Sequence, residues 1–433
     1  MRLSKPINLF LPDKLIVDLE RYLLENRLNY KTDKMCFYYI IHYLTIMQIR
    51  NKKKSYFYLN KKEINLITNC NSDKYIRTLK KGGFIDCDND AKPGFKSYHY
   101  RLSAKYHSSV SKFELLPNSS VYQNIIKYNN RKKAHYNRLE PHLKEMWNVL
   151  RKLEIDYDGA LNWIVNNATE SQLLPYLTSL EHLKDKRFRY LNRNKTNSRL
   201  DTNVTNLKSE IRQFFIGDFV SIDLKNSQPF LLGALLNHLN FHKGTLCWLF
   251  SDEVLIKTFG LKAIQRILLV HQNQEKADLV NLSSYTESVN KGQLYDDFIH
   301  QFNGDITRKK VKEIMFQVLF SRNEYYQGFK KITPFKREKA IFSKVYPTVY
   351  EIITQLKKKD HRNLPIFLQR VESYLFIDCI TKELVKNGIL PITIHDSVLI
   401  QRKDTAIALS IIQNVFDREI GIIPEFKIDR ILS

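Results

Sequence analysis

The sequence predicts an α+β chain: a small N-terminal domain of two helices and a hairpin, then a larger helical domain threaded by short strands. Three observations predict it. Residues 60–103 read as helix, helix, glycine stop and alternating segment. Residues 135–192 carry apolar side chains at three- and four-residue spacing. Two apolar, β-prone runs, at 219–224 and 391–401, each hold an aspartate. With 433 residues and 43% hydrophobic content, the chain can bury two or three packed units.

In the first domain, LNKKEINLITNCN reads as a helix with Asn60 at its N-cap. SDKYIRTLKKGGFID follows, with Ser72 read as the cap and Gly82-Gly83 as the stop. DCDNDAKPGFKSYHYRLS alternates and carries Pro93-Gly94, which signals a hairpin or wing. This order resembles a winged helix-turn-helix, so residues 1–112 are read as a winged-helix-like domain. In that motif the second helix enters a DNA groove, where Lys74, Arg77, Lys80 and Lys81 would contact phosphates. A winged helix that only binds protein would show the same pattern.

Residues 113–133 are polar (LLPNSS, KYNNRKK) and read as a linker. Beyond them HLKEMWNVLRKL, DGALNWIVNNA and LLPYLTSLEHL each read as a helix, serving either as a clamp on a duplex or as packing.

Charge narrows the partners. Lys and Arg number 69 against 45 Asp and Glu, a formal net charge of +24. Such a surplus attracts polyanions, because each neutralised phosphate releases counterions. The 24 Tyr and 25 Phe supply rings that can stack on bases. A solvated basic surface with no partner is the alternative. Five scattered cysteines without a CxxC pair argue against a zinc site and a disulfide framework. MRLSKPINLF lacks the apolar core of a signal peptide, and FYYIIHYLTIM from Phe37 is too short to span a bilayer. A cytoplasmic chain without a membrane partner is expected.

GDFVSIDLKNSQPFLLGALL places Asp223 at the end of a β-prone run, with Pro229 opening a helical one. Alone, a strand-end aspartate more often serves a cap or salt bridge. NGILPITIHDSVLI adds a second: Gly388 as a turn, strands at 391–394 and 398–401, and His395-Asp396 at the hairpin tip. Acids on adjacent strand ends can share two hard cations. One such ion lowers the pKa of a 3′-hydroxyl and the other holds a triphosphate.

Between them lies TRKKVKEIMFQVLFSRN, where Arg308, Lys312, Phe316 and Phe320 recur every four residues along one helix face. The cations would grip phosphates and the rings support an incoming base and sugar. An amphipathic helix with snorkelling basic residues is the alternative.

These three segments, in this order, resemble family A DNA polymerases and their relatives, the phage-type single-subunit RNA polymerases. SIDLKNSQPFLL is similar to motif A, with Asp223. Arg308, Lys312 and Phe320 reproduce the spacing of motif B, and IHDSVLI is similar to motif C, with His395 and Asp396. NSRLDTNVTNLKSEIRQFF resembles the region before motif A, with Arg199, Asn206 and Arg212. NLPIFLQRVESYLFI supplies Asn363, Pro365 and Gln369 in the manner of the segment before motif C. The resemblance spans roughly residues 191–429.

It implies a right-hand polymerase fold over 134–433. Thumb-like helices would lie at 134–195, the palm at 196–235 and 364–433, and the fingers at 236–363. It also implies two Mg2+ (or Mn2+) on Asp223 and Asp396. Lys312 would act as general acid for departing pyrophosphate, Arg308 as an outer-phosphate ligand and His395 as a guide for the 3′ end. Phe316 and Phe320 would line the nucleotide pocket, and Arg199, Asn206, Arg212 and Gln369 would hold template and primer. The implied partners are a DNA template with a primer or nascent strand and nucleoside triphosphates, bound by a monomer.

Two departures bear on the sugar. DNA polymerases of the family carry Glu five residues after the motif A aspartate, where this chain has Gln228. The usual motif B Tyr is Phe320, which has no hydroxyl to donate. IHDS looks more like the RNA enzymes. DNA synthesis is favoured by the Arg199 to Arg212 segment, with an RNA polymerase or primase as the alternative. A DNA-binding replication initiator with an inactive polymerase-like half is a third reading. Nothing resembles a proofreading exonuclease, and the architecture suits a phage, plasmid or other mobile element.

Overall fold

Apolar side chains gather into two large buried clusters, one in each of two contact units. The first unit comprises Met1–Leu139, Glu154–Leu191 and Asn206–Phe214; the second comprises Glu140–Leu153, Asn192–Thr205 and Phe215–Ser433. The structure is a computed structural model. It describes residues 6–26, 28, 34–50, 55–69, 71–88, 98–106, 109–133, 136–241, 247–272, 276–300 and 306–431.

In the first unit the apolar FYYIIHYLTIM stretch is the heart of helix Lys34–Arg50, which buries Phe37, Ile40, Ile41 and Leu44. No helix among the described residues is long and apolar enough to cross a membrane. Strand Ile7–Pro12 pairs antiparallel with Val110–Leu115. Helices Lys61–Thr68 and Ser72–Lys81 follow each other as the sequence predicts. A three-stranded sheet then runs in the order Phe57–Tyr58, His99–Leu102, Ile85–Cys87.

The Asn60 side chain caps the first helix by accepting from the Glu63 amide at 3.4 Å. The second cap differs from expectation. Asn71, not Ser72, holds it, accepting from the Asp73 amide at 3.0 Å, because Ser72 has already turned inward as the first helical residue. Gly83 sits at φ +69, a backbone conformation that costs glycine little. Tyr75, Ile76 and Leu79 are buried, whereas Lys74, Arg77, Lys80 and Lys81 are exposed. Pro93-Gly94, the basic run at 51–54 and Cys70 lie outside the described residues. Among those described, no cysteine forms a disulfide.

The stretch read as a linker is built as regular structure. Val110–Leu115 is a strand and Ser120–Lys133 a helix. Its few apolar residues carry the packing: Leu115, Val121, Tyr122 and Ile125 are all buried, and polar composition alone had hidden them.

The three helices after 135 form at Pro141–Lys152, Tyr157–Asn167 and Glu170–Lys184. The first of them belongs to the second contact unit and the other two to the first.

The second unit is centred on a four-stranded antiparallel sheet ordered Ile392–Ile394, Ser397–Gln401, Phe219–Leu224, Phe426–Ile431. The last strand was not anticipated. Along Phe219–Leu224, Val220, Ile222 and Leu224 enter the core while Ser221 and Asp223 stay half-buried on the other face, as the two-residue strand period requires. Helix Ser227–Phe241 packs closely on Lys276–Asn290. A Cβ at Gly233 would stand 2.9 Å from Val289 Cγ2, so larger residues cannot enter without shifting Val289.

Candidate active site

The two central strands bring the sequence-predicted acids together. Ser397–Gln401 pairs with Phe219–Leu224 so that Ser397 faces Asp223, and the Leu224 amide donates to the Asp396 carbonyl at 3.0 Å. Asp396 is therefore the next residue along from the one opposite Asp223. It occupies the hairpin tip with His395, whose φ of +56 is uncommon for a residue bearing a side chain. On the other flank Lys427 faces Asp223.

Electrostatics reflect this crowding. The Asp223 carboxyl is pushed up to about 7, first by burial and then by the negative charge of Asp396. Lys312 pulls it down, and Asp429 and Lys427 act in opposite senses. Neighbouring half-buried carboxylates that repel each other form a hard-oxygen donor set, which suits Mg2+ or Mn2+. The residues present fit such ions.

Helix Arg308–Phe320 is capped by Thr307, whose side chain accepts from the Lys310 amide at 3.3 Å. It buries Val311, Ile314, Met315, Val318 and Leu319, leaving Arg308 and Lys312 exposed and Phe316 and Phe320 half-buried. The two phenyl rings stack at 5.3 Å between centroids, and the Lys312 ammonium stands 5.9 Å from the Phe316 ring centroid. The stripe is thus the open face of the helix. Arg308 pairs with Asp296 at 3.1 Å and lies over the Tyr295 ring, 5.2 Å from its centroid. Burial raises the Tyr295 hydroxyl pKa, with Arg308 opposing and Asp396 adding to the shift.

A residue missed in the sequence organises the other side. Glu372 is 1% exposed. One carboxylate oxygen accepts from Arg199 (Nη2 at 2.6 Å, Nε at 2.8 Å), and the other accepts from Gln228 Nε2 at 2.5 Å and Ser227 Oγ at 3.1 Å. Burial and the nearby Asp396 charge push its carboxyl up to about 7, against the pull of Arg199. The available signal was an acid one turn beyond Gln369, on the helix that carries the buried Leu368 and Val371.

Gln369 accepts from Asn197 Nδ2 at 3.0 Å, which fastens the Arg199 loop to helix Asn363–Ser373. Buried Gln228 Oε1 and both side-chain polar atoms of buried Asn226 have no partner among the described residues. Orphaned polar atoms of this kind mark a place for water or a ligand.

Asn206 and Arg212 belong to the first unit. Asn206 donates to the Tyr190 hydroxyl at 2.6 Å and Arg212 to the Leu207 carbonyl at 2.9 Å. Lys74 and Arg77 also belong to that unit. A separate cluster, Glu140, His142 and Asp378, has ligand-type atoms within 4.8 Å of one another. Arg193 already grips Asp378 through two bonds of 2.7 and 2.5 Å, so a cation there would have to displace a guanidinium.

No protein-family profile matches the chain, and no curated protein matches it in sequence. Among solved structures it is similar to the POL domain of Pol1 from M. smegmatis, in complex with DNA primer-template and dNTP. Identity is 10%, and the match covers 60% of this chain and 50% of that one. The chain thus spans half the length of that domain chain, and a TM-score of 0.29 carries no argument for fold or function.

Proposed function

We propose that this chain is a template-directed nucleic-acid polymerase of the family A type, with Asp223 and Asp396 holding two divalent cations. What supports the reading most is the juxtaposition of those aspartates, joined through the 3.0 Å Leu224–Asp396 backbone bond, with the Asp223 carboxyl driven up to about 7. When bound, magnesium or manganese would lower the pKa of a primer 3′-hydroxyl and stabilise charge on the leaving pyrophosphate.

The chain's own residues position and neutralise, which is where most of the rate of phosphoryl transfer arises. Lys312 meets the triphosphate and donates a proton to departing pyrophosphate, while Arg308 holds the outer phosphates. Phe316 and Phe320 form one wall for the base and sugar, and His395 guides the primer end. Arg199 keeps N–H donors beyond the two engaged by Glu372, so it can reach a minor-groove acceptor, as can Gln369. In the first unit, read as winged-helix-like, the exposed Lys74 and Arg77 bind duplex phosphates. Asn206 and Arg212 contribute to holding template and primer.

DNA is the favoured product. A second reading, RNA polymerase or primase, draws support from Gln228. Its amide nitrogen is committed to Glu372, which leaves Oε1 as a neutral acceptor that a ribose hydroxyl would suit. Offering labelled dNTPs and rNTPs on primed and unprimed templates separates the two. Incorporation of rNTPs alone would sink the DNA polymerase reading, and binding without synthesis under any nucleotide would favour an inactive initiator.

A further inference from the structure

Directly after the Arg308–Phe320 helix the chain forms a small antiparallel hairpin. Tyr325–Gln327 pairs with Lys330–Ile332, with Gln327 opposite Lys330. Its two-residue loop is Gly328-Phe329, with positive φ at Gly328 (+61) and not at Phe329, as in a type II′ turn. Among the described residues, nothing lies within 4 Å of the Cβ position of Gly328.

The tip is bare. Phe329 is 106% exposed, Tyr326 67% and Tyr325 36%, so three aromatic rings stand outside the core within five residues. Water solvates such rings poorly, and a folded chain presents them together chiefly where something covers them.

The surrounding charge says what that is. Arg322, Lys330, Lys331, Lys336 and Arg337 are exposed cations of this segment, against the acids Glu324 and Glu338. Of these cations, Lys331 is partly neutralised by Glu324 at 2.6 Å.

The base, in contrast, is fixed. Buried Lys339 donates to the Arg322 and Asn323 carbonyls. Buried Lys357 donates to Val318 and Ser321 carbonyls at 2.7 and 3.1 Å, and Asn323 Nδ2 to the Thr354 carbonyl at 2.9 Å. Two lysines are kept from water to hold the foot of an arm whose end stands exposed. That arrangement suits a stiff probe.

We propose that the Tyr325–Ile332 hairpin is a stacking platform for an unpaired nucleic-acid strand. Phe329 and Tyr326 take base faces, and Lys330, Lys336 and Arg337 take the phosphates. Flat rings beside cations bind single strands without regard to sequence, because every base offers a π-face and every linkage a charge. A protein partner or a second copy of this chain would find the aromatics but has no general match for the positive rim.

The test uses the full chain and a fluorescein-labelled oligo-dT, with a duplex of equal length for comparison and no nucleotide present. Phe329→Ala is expected to weaken oligo-dT binding by about tenfold, the order of one lost stacking contact. Adding Tyr326→Ala should weaken it further, and Phe329→Trp should restore it. Duplex affinity should stay within about twofold of wild type, as phosphate contacts dominate there.

Phe329→Ala binding oligo-dT as wild type does would overturn the proposal, as would a wild-type chain that does not bind it. A Phe329→Ala chain that changes only its sedimentation would instead assign the tip to self-association. Binding is read without synthesis, so this result and the polymerase reading stand or fall separately.

Discussion

Arg199 and Glu372 form an ion pair at 2.6 Å, its carboxylate buried and its guanidinium half-buried, linking the loop before the Asp223 strand to the helix before the Asp396 hairpin. The same carboxyl group receives Gln228 and Ser227, so one buried acceptor orders three segments of the site. Removing one partner of such a pair strands the other. Glu372→Ala is therefore expected to destabilise the second unit by about 1–3 kcal/mol, the cost of leaving the buried Gln228 and Ser227 donors unpaired. Glu372→Gln, which keeps acceptor capacity for Arg199, should lose less. Thermal melts of both variants check the order, and equal melting temperatures for Ala, Gln and wild type would refute it.

Gln228 is neutral for a reason visible in its partner. Gln228→Glu would set a second carboxylate 2.5 Å from Glu372. Like charges so close cannot both ionise, and the pair should hold one proton at neutral pH. This variant should lose nucleotide incorporation that Gln228→Ala retains. The ratio of dNTP to rNTP incorporation should shift in Gln228→Ala if this side chain touches the sugar. An unchanged ratio would remove Gln228 from the pocket.

Asp223 gives a pH signature. Its carboxyl rises from the ordinary 3.8 to about 7 in the folded chain, so between those values the folded state holds more protons than the unfolded. Stability contributed by this group falls as pH rises through that window and is level above it. In metal-free protein, Asp223→Asn should raise the melting temperature by a few degrees at about pH 8, with the gain shrinking toward about pH 4. Mg2+ or Mn2+ should stabilise wild type at the higher pH and leave Asp223→Asn unmoved. A metal-induced shift of equal size in both would contradict the assignment.

Lys312 acts on Asp223 electrostatically and lies on the open face of its helix. Lys312→Ala should lower kcat by about a hundredfold or more, the range for losing one preorganised charge in a transition state. Its melting temperature should move little beyond the lost attraction to ionised Asp223, because an exposed side chain is removed. Lys312→Arg should recover charge without recovering proton donation, which a flatter alkaline limb of the pH–rate profile would reveal.

Much of this was legible because strands and helices impose periods on side chains. Alternation along 219–224 put Asp223 off the core face, and the four-residue recurrence from Arg308 to Phe320 put cations and rings on one stripe. Long-range pairing was not legible. Glu372 meets Arg199 across 173 positions, and no local pattern ties them. The Phe426–Ile431 strand is exposed along its middle and half-buried only at its ends, so it gave no apolar run to read. The segment at 113–133 hid four buried side chains among polar neighbours.

Primer extension on a DNA template, comparing wild type with Asp396→Ala in Mg2+ and in Mn2+, tests the two-aspartate site most directly. Wild type should extend the primer only with a divalent cation present. Asp396→Ala should fall by several orders of magnitude while still folding and binding the primer-template. Undiminished extension by Asp396→Ala would contradict the assignment of Asp223 and Asp396 as the metal-holding pair.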